Sequence, residues 1–172
     1  MNLEHILLSD HSKATTTAMA KWIGSDSERF AILWGLFQSG RPPLPQRSAW
    51  VITYVCKAAA DLRQSYVPQF IEVFLTERPH QAELRAMSQV LSWCTYTEEQ
   101  MGQLVDLCFE RMLSGDVPVA IKVHCMEILF NIVKAEPELA GELRAAIESR
   151  MANEQAGFRS RGRKILKGLD KL

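Results

Sequence analysis

The chain has 172 residues, enough to bury a sizeable core without disulfide or metal staples. Apolar residues make up 47% and charged residues 23%, a balance that excludes wholesale disorder. Twenty Lys and Arg face twenty Asp and Glu, so no global field draws the protein to nucleic acid or an anionic membrane, and any such role has to come from a local patch.

The opening MNLEHILL lacks a basic n-region and carries Glu4 and His5 inside its short apolar run, which does not suit a signal peptide. No later apolar run approaches the roughly 18 residues that a transmembrane helix requires, so a cytoplasmic protein is expected. After a short N-terminal helix, Ser9 or Ser12 can cap a helix with Ala14, Ala18, Trp22 and Ile23 inward, ending at Gly24. Ser25 to Ser27 offer cap oxygens for the next helix, where Phe30, Leu33, Trp34 and Phe37 follow i, i+3, i+4, i+7 spacing up to a stop at Gly40. Arg41-Pro42-Pro43-Leu44-Pro45 is a rigid connector, because each proline fixes φ and removes a backbone donor.

From Gln46 to about Ala60 the pattern is apolar nearly all round. Trp50, Val51, Tyr54, Val55 and Ala58 share one side, and Ala49, Ile52 and Cys56 share another, so this helix must be sandwiched between neighbours. The next opens near Ser65 with Pro68 in its first turn, buries Tyr66, Phe70, Val73 and Phe74, and closes at Arg78-Pro79. His80 to Cys94 follows, with Leu84, Met87, Val90, Leu91 and Cys94 inward and Arg85, Ser88, Gln89 and Ser92 on a polar side. Thr97 with Gln100 three residues on predicts a capping box, opening a helix with Met101, Val105, Cys108 and Met112 that ends at Gly115. Asp116 is the expected cap of a long helix carrying two stripes: Val119, Val123, Met126, Phe130 and Val133, and beside it Ile121, Cys125, Ile128 and Ile132. Pro137 starts its partner, with Leu139, Leu143 and Ile147 inward, and a last helix is apolar at Phe158, Ile165, Leu166 and Leu169. No stretch alternates with period 2 for long enough to read as a strand, so the chain is expected to be all-α with about nine helices.

Long helices begin near Pro43, His80, Val117 and Glu154, successive steps of 37 residues. A period of that size built from paired helices is the signature of a solenoid, in which no pair buries its apolar face alone and neighbours share one core. The expected organisation is one domain over 1–172: a helix pair at about 10–39, repeats at about 43–79, 80–116 and 117–153, and a capping helix at about 154–170. A basic residue recurs early in each long helix, at Arg47, Arg85, Lys122 and Arg159.

Basic residues ahead of Ala and Leu core positions at this period resemble the HEAT-repeat family, whereas the Trp, Gly-Tyr and Ala pattern of tetratricopeptide repeats is missing. The segments SAWVITYVCK, VAIKVHCMEIL and FRSRGRKILKGL look like short bacterial HEAT-like proteins of unestablished function. The resemblance implies a right-handed α-α superhelix, a HEAT-like solenoid of armadillo type, and a surface that binds other proteins.

The recurrent basic residues have two readings, a cationic ladder along one groove or side chains whose stems pack while their heads form inter-repeat salt bridges. By helical angle Arg47 and Lys122 sit inside apolar arcs and Arg85 on a polar face, so the four need not share a surface. Lys122 is expected to be buried along its stem and paired with a neighbouring carboxylate. The C-terminal segment from Glu154 is the one marked charge asymmetry: Arg159, Arg161, Arg163, Lys164, Lys167 and Lys171 against Glu154 and Asp170 make it +4 and the rest of the chain −4. It suits a solvated cap or protein contact first and phosphate contacts second, and no aromatic beyond Phe158 is interleaved for base stacking. Trp93, bordering the polar Ser88-Gln89-Ser92 side, is the tryptophan expected nearest a surface, and the other three are expected in the core.

His5, His11, His80 and His124 show no chelating spacing, and Cys56, Cys94, Cys108 and Cys125 sit at apolar positions without a CxxC pair, so neither a metal nor a cofactor is expected. No glycine-rich phosphate loop, nucleophile elbow or kinase signature is present. The reading is a non-enzymatic scaffold holding a protein partner. The alternative is a nucleic-acid-binding protein similar to the HEAT-like DNA alkylation repair glycosylases, although their catalytic Trp-Asp-Arg set has no matching positions here.

Overall fold

The computed structural model describes residues 1–76 and 80–172. Among the described residues there are eleven α-helices, one 3₁₀ turn and no strand, in agreement with the all-α expectation. The chain forms two compact units, Met1–Val90 and Leu91–Leu172.

The first unit holds α1 (Leu3–Ser9), α2 (Lys13–Ile23), α3 (Ser27–Phe37), α4 (Leu44–Ala58), α5 (Ala60–Ser65), α6 (Val67–Leu75) and most of α7 (Gln81–Leu91). α4 is its centre: α1, α2 and α3 all pack on it, and Val51, Ile52, Val55 and Cys56 are fully enclosed. Burial of each such side chain contributes roughly 1.5–3 kcal/mol, which is why this nearly all-apolar helix is the sandwiched one. Trp50 departs from the expectation. It lies on the side of α4 left open, 38% exposed, edge-on to Tyr54 at 6.0 Å between ring centroids.

On α2 the inward face is Thr16, Met19 and Ile23 rather than Ala14, Ala18 and Trp22. Met19 and Ile23 offer more apolar area than two alanines, and Trp22 is occupied by Arg29, whose guanidinium stacks 4.5 Å from its ring and donates to its carbonyl at 2.6 Å. The α3 face is as expected, Phe30, Leu33, Trp34 and Phe37, and it meets Tyr66 and Phe70 edge-on. Its cap is Asp26, between the two serines, accepting from the N–H groups of Glu28 and Arg29. α5 is the element that the pattern does not separate. Ala59 leaves the helical region with no Gly or Pro to announce it, and Arg63 donates to the Cys56 carbonyl that the break frees, at 2.7 Å. On α7, Ser88 is buried with Leu84, Met87 and Val90 instead of lying on a polar side. The expected stop at Arg78-Pro79 lies outside the described residues.

The second unit holds α8 (Glu98–Leu113), α9 (Val119–Val133), a 3₁₀ turn (Pro137–Leu139), α10 (Ala140–Arg150) and α11 (Ala156–Leu169). The Thr97–Gln100 capping box opens α8 as expected. α9 is the centre here, with α8, α10 and α11 packed on it. Its Ile121, Cys125, Ile128 and Ile132 are enclosed, and the second buried stripe is Lys122, Met126, Leu129 and Val133, while Val119, Val123 and Phe130 are half-buried. Asp116 does not cap α9. The helix starts after Pro118 with no side-chain cap, and the Asp116 N–H instead donates to Ser114 Oγ. Leu143 and Ile147 of α10 and Phe158, Ile165 and Leu169 of α11 complete the core, and Leu166 is only half-buried. All four cysteines are buried.

Candidate functional site

Three of the four recurrent basic residues, Arg47, Lys122 and Arg159, have separate local roles. Arg47 Nη1 donates to the carbonyls of Leu7 and Leu8 at 2.5 and 3.1 Å, satisfying acceptors that the end of α1 leaves open. Lys122 Nζ lies 2.6 Å from Glu154 Oε1, as expected of a buried lysine, and Arg150 reaches the same oxygen from Nη2 at 2.9 Å. Arg159 Nη1 donates to the Glu154 carbonyl at 2.7 Å. Arg85 is exposed and forms no salt bridge among the described residues. Lys122 and Arg159 therefore converge on one residue, Glu154, from two sides. Burial alone would push that carboxyl up, but the hydrogen bonds from Lys122 and Arg150 outweigh it and hold it below its ordinary value.

A cavity of about 380 Å³ borders this triad, lined by residues 115–119 and by Arg150, Asn153 and Gln155. The N-termini of α9 and α11 both open toward it without a side-chain cap, so two helix dipoles and two cations face the space. Glu154 already occupies that positive environment.

The six basic residues of α11 and the turn after it separate into used and unused. Arg161 pairs with Glu127, and the nearby acid Asp170 is held by Arg144 at 2.7 Å. Arg163, Lys164, Lys167 and Lys171 are exposed and make no ion pair among the described residues. At about 100° per residue Arg163, Lys164 and Lys167 share one arc of the helix, away from Phe158, Ile165 and Leu169, and Lys171 follows in the turn after it.

Trp93 is half-buried and lines a cavity of about 480 Å³ together with Tyr96, Met101, Asn131 and Lys134. The walls are fixed by hydrogen bonds: Tyr96 Oη donates to the Leu91 carbonyl, Asn131 Nδ2 donates to the Ser92 carbonyl at 2.9 Å, and Lys134 Nζ donates to Asn131 Oδ1 at 3.1 Å. Burial pushes the Tyr96 phenol up, so it stays neutral. The Lys134 ammonium also sits 4.6 Å over the Phe130 ring. No carboxylate lines this cavity. The sequence singles out Trp93 by its polar border but gives no such mark to Lys134, which follows the end of α9 as its C-cap.

Among the described residues no group of three or more His, Cys, Asp or Glu is placed to hold a metal, and no helix is long and apolar enough to cross a membrane. A family model described as a HEAT repeat domain matches residues 3–169. No curated protein matches the chain.

Proposed function

The chain belongs to the HEAT repeat domain family, whose fold is the α-α superhelix, and from that membership we propose that it is a non-enzymatic scaffold holding a protein partner through the exposed basic face of α11. HEAT repeat domains commonly serve as protein-binding scaffolds. The observation that carries the reading is the division of the cations. Arg47, Lys122, Arg159 and Arg161 are consumed inside the fold, while Arg163, Lys164 and Lys167 stay exposed with neighbouring acids already paired to other residues. In a chain of zero net charge, such a face selects an acidic partner surface by local complementarity rather than by bulk attraction.

Affinity capture from an extract of the source cells, run in parallel with wild type and a Lys164→Glu, Lys167→Glu variant and quantified by mass spectrometry, tests this. Partners should be recovered by the wild type and lost by the double charge reversal. Recovery unchanged by the reversal removes α11 from the interface. Titration of a DNA duplex at about 50 mM salt gives the competing outcome: binding tighter than to any captured protein would replace a protein partner with nucleic acid.

A further inference from the structure

The cavity at Trp93 and the basic arc of α11 are joined by a chain of contacts through Phe130. Lys134, on the cavity wall, lies over the Phe130 ring, and the same ring packs against Gly168 so closely that a methyl group there would come within 2.6 Å of Cζ. Gly168 stands at the edge of the arc that carries Lys164 and Lys167, four residues after the first and next to the second. A line of contacts thus runs from an aromatic recess, through a cation held over a ring, to the helix that carries the exposed lysines.

Resting on the scaffold reading above, we infer that this surface is a docking site for an acidic linear peptide segment bearing one apolar anchor residue, with the anchor in the recess beside Trp93 and the acidic residues along Lys134, Lys164 and Lys167. Charge complementarity specifies the occupant. The recess has no carboxylate, its one charged group is Lys134, and the acids bordering α11, Glu127 and Asp170, are held by Arg161 and Arg144. The recess also fits an anchor: Trp93, Tyr96 and Met101 give it apolar walls, and the Asn131 and Tyr96 hydrogen bonds hold those walls in place before anything binds. A preformed recess lowers the ordering cost of binding, so its contribution appears as affinity. A purely acidic ligand would use only the lysines, whose exposed ion pairs are individually weak and screened by salt.

Fluorescence anisotropy with two labelled twelve-residue peptides, one of Asp and Glu alone and one with a central Leu among them, tests the inference on the full chain. The Leu-bearing peptide should bind roughly tenfold tighter, from burial of one aliphatic side chain. Trp93→Ala should erase that difference and leave the salt-dependent binding of both peptides. Lys134→Gln, an exposed change that keeps the fold even if the tryptophan variant does not, should weaken both peptides by about threefold. Equal affinities for the two peptides, or a Lys134→Gln variant that binds as the wild type does, overturn the docking site while leaving the scaffold reading intact. A twelve-nucleotide oligothymidylate that binds more tightly than either peptide overturns both.

Discussion

Lys122 Nζ and Glu154 Oε1 meet at 2.6 Å with side chains only 5% and 6% exposed, an ion pair enclosed between α9 and the turn that leads into α11. The attraction of such a pair is largely offset by the desolvation of both groups, so its main consequence is positional: the start of α11 is tied to one place along α9. Removing one partner leaves a buried charge behind. Lys122→Ala should destabilise by about 3 kcal/mol, the lower end for a broken buried pair, because Arg150 still holds Glu154. Lys122→Met with Glu154→Gln, which removes both charges at similar volume, should cost far less. Urea titrations of the three proteins check this, and a double variant as unstable as the single one would contradict it.

The same carboxylate makes stability depend on acid. Its pKa is lowered in the folded protein from an ordinary value of 4.5, so the folded state binds its proton less readily than the unfolded chain does. The stabilisation is therefore fully present above about pH 4.5 and is lost as pH falls through the lower folded value. Thermal melts between pH 6 and pH 3 should show a steeper loss for wild type than for Glu154→Gln. Parallel curves would mean that Glu154 does not carry the acid sensitivity.

What the sequence made legible follows from what kind of interaction decided each feature. The helix pairs, the α3 face and the Thr97–Gln100 capping box rest on spacings of three and four residues, which a sequence displays directly. Lys122 was placed correctly for the same reason, since a lysine between Val119, Met126 and Val133 has to reach a partner. The features that escaped depend on neighbours distant in sequence. Trp50 and Trp22 have the composition of core residues and sit outside it because of which helices pack on α4 and because Arg29 covers Trp22. The end of α4 at Ala59 carries no punctuating residue, and Lys134 comes to the Trp93 recess beside Asn131, which donates to the Ser92 carbonyl. The recurrent basic residues show in the sequence as a period, but the carbonyls that Arg47 and Arg159 reach do not.

Arg47 gives one of those acceptors a measurable consequence. Its guanidinium bridges the Leu7 and Leu8 carbonyls, in the last turn of a helix only seven residues long that is marginal on its own. Arg47→Ala should lower stability by about 1–3 kcal/mol, as loss of charged hydrogen bonds to part-buried carbonyls does. The effect should be local. Hydrogen exchange should accelerate at the amides of residues 6–10, with little change at Val51 or Ile52 in the middle of α4. Uniform acceleration through the first unit would show that Arg47 supports more than α1.

Two glycines test the packing of the second unit in opposite directions. At Gly168 a methyl group would lie 2.6 Å from Cζ of Phe130 and 3.1 Å from Cε2, and the ring it strikes is held between α11 and the Lys134 ammonium. Gly168→Ala should therefore force the ring or the helix aside and cost about 1–3 kcal/mol, the range for overpacking. Gly102, inside α8, has nothing within 4 Å of where a methyl would stand and an ordinary helical backbone. Gly102→Ala should stabilise by about 0.5–1 kcal/mol through the lower entropy of the unfolded chain and better helix propensity. Denaturant midpoints of the two variants should fall on opposite sides of the wild type. The Gly168 variant should also bind the Leu-bearing acidic peptide less well than wild type, because displacing Phe130 moves Lys134 away from the lysine arc; stability lost with peptide affinity intact would separate the packing of Phe130 from the docking surface.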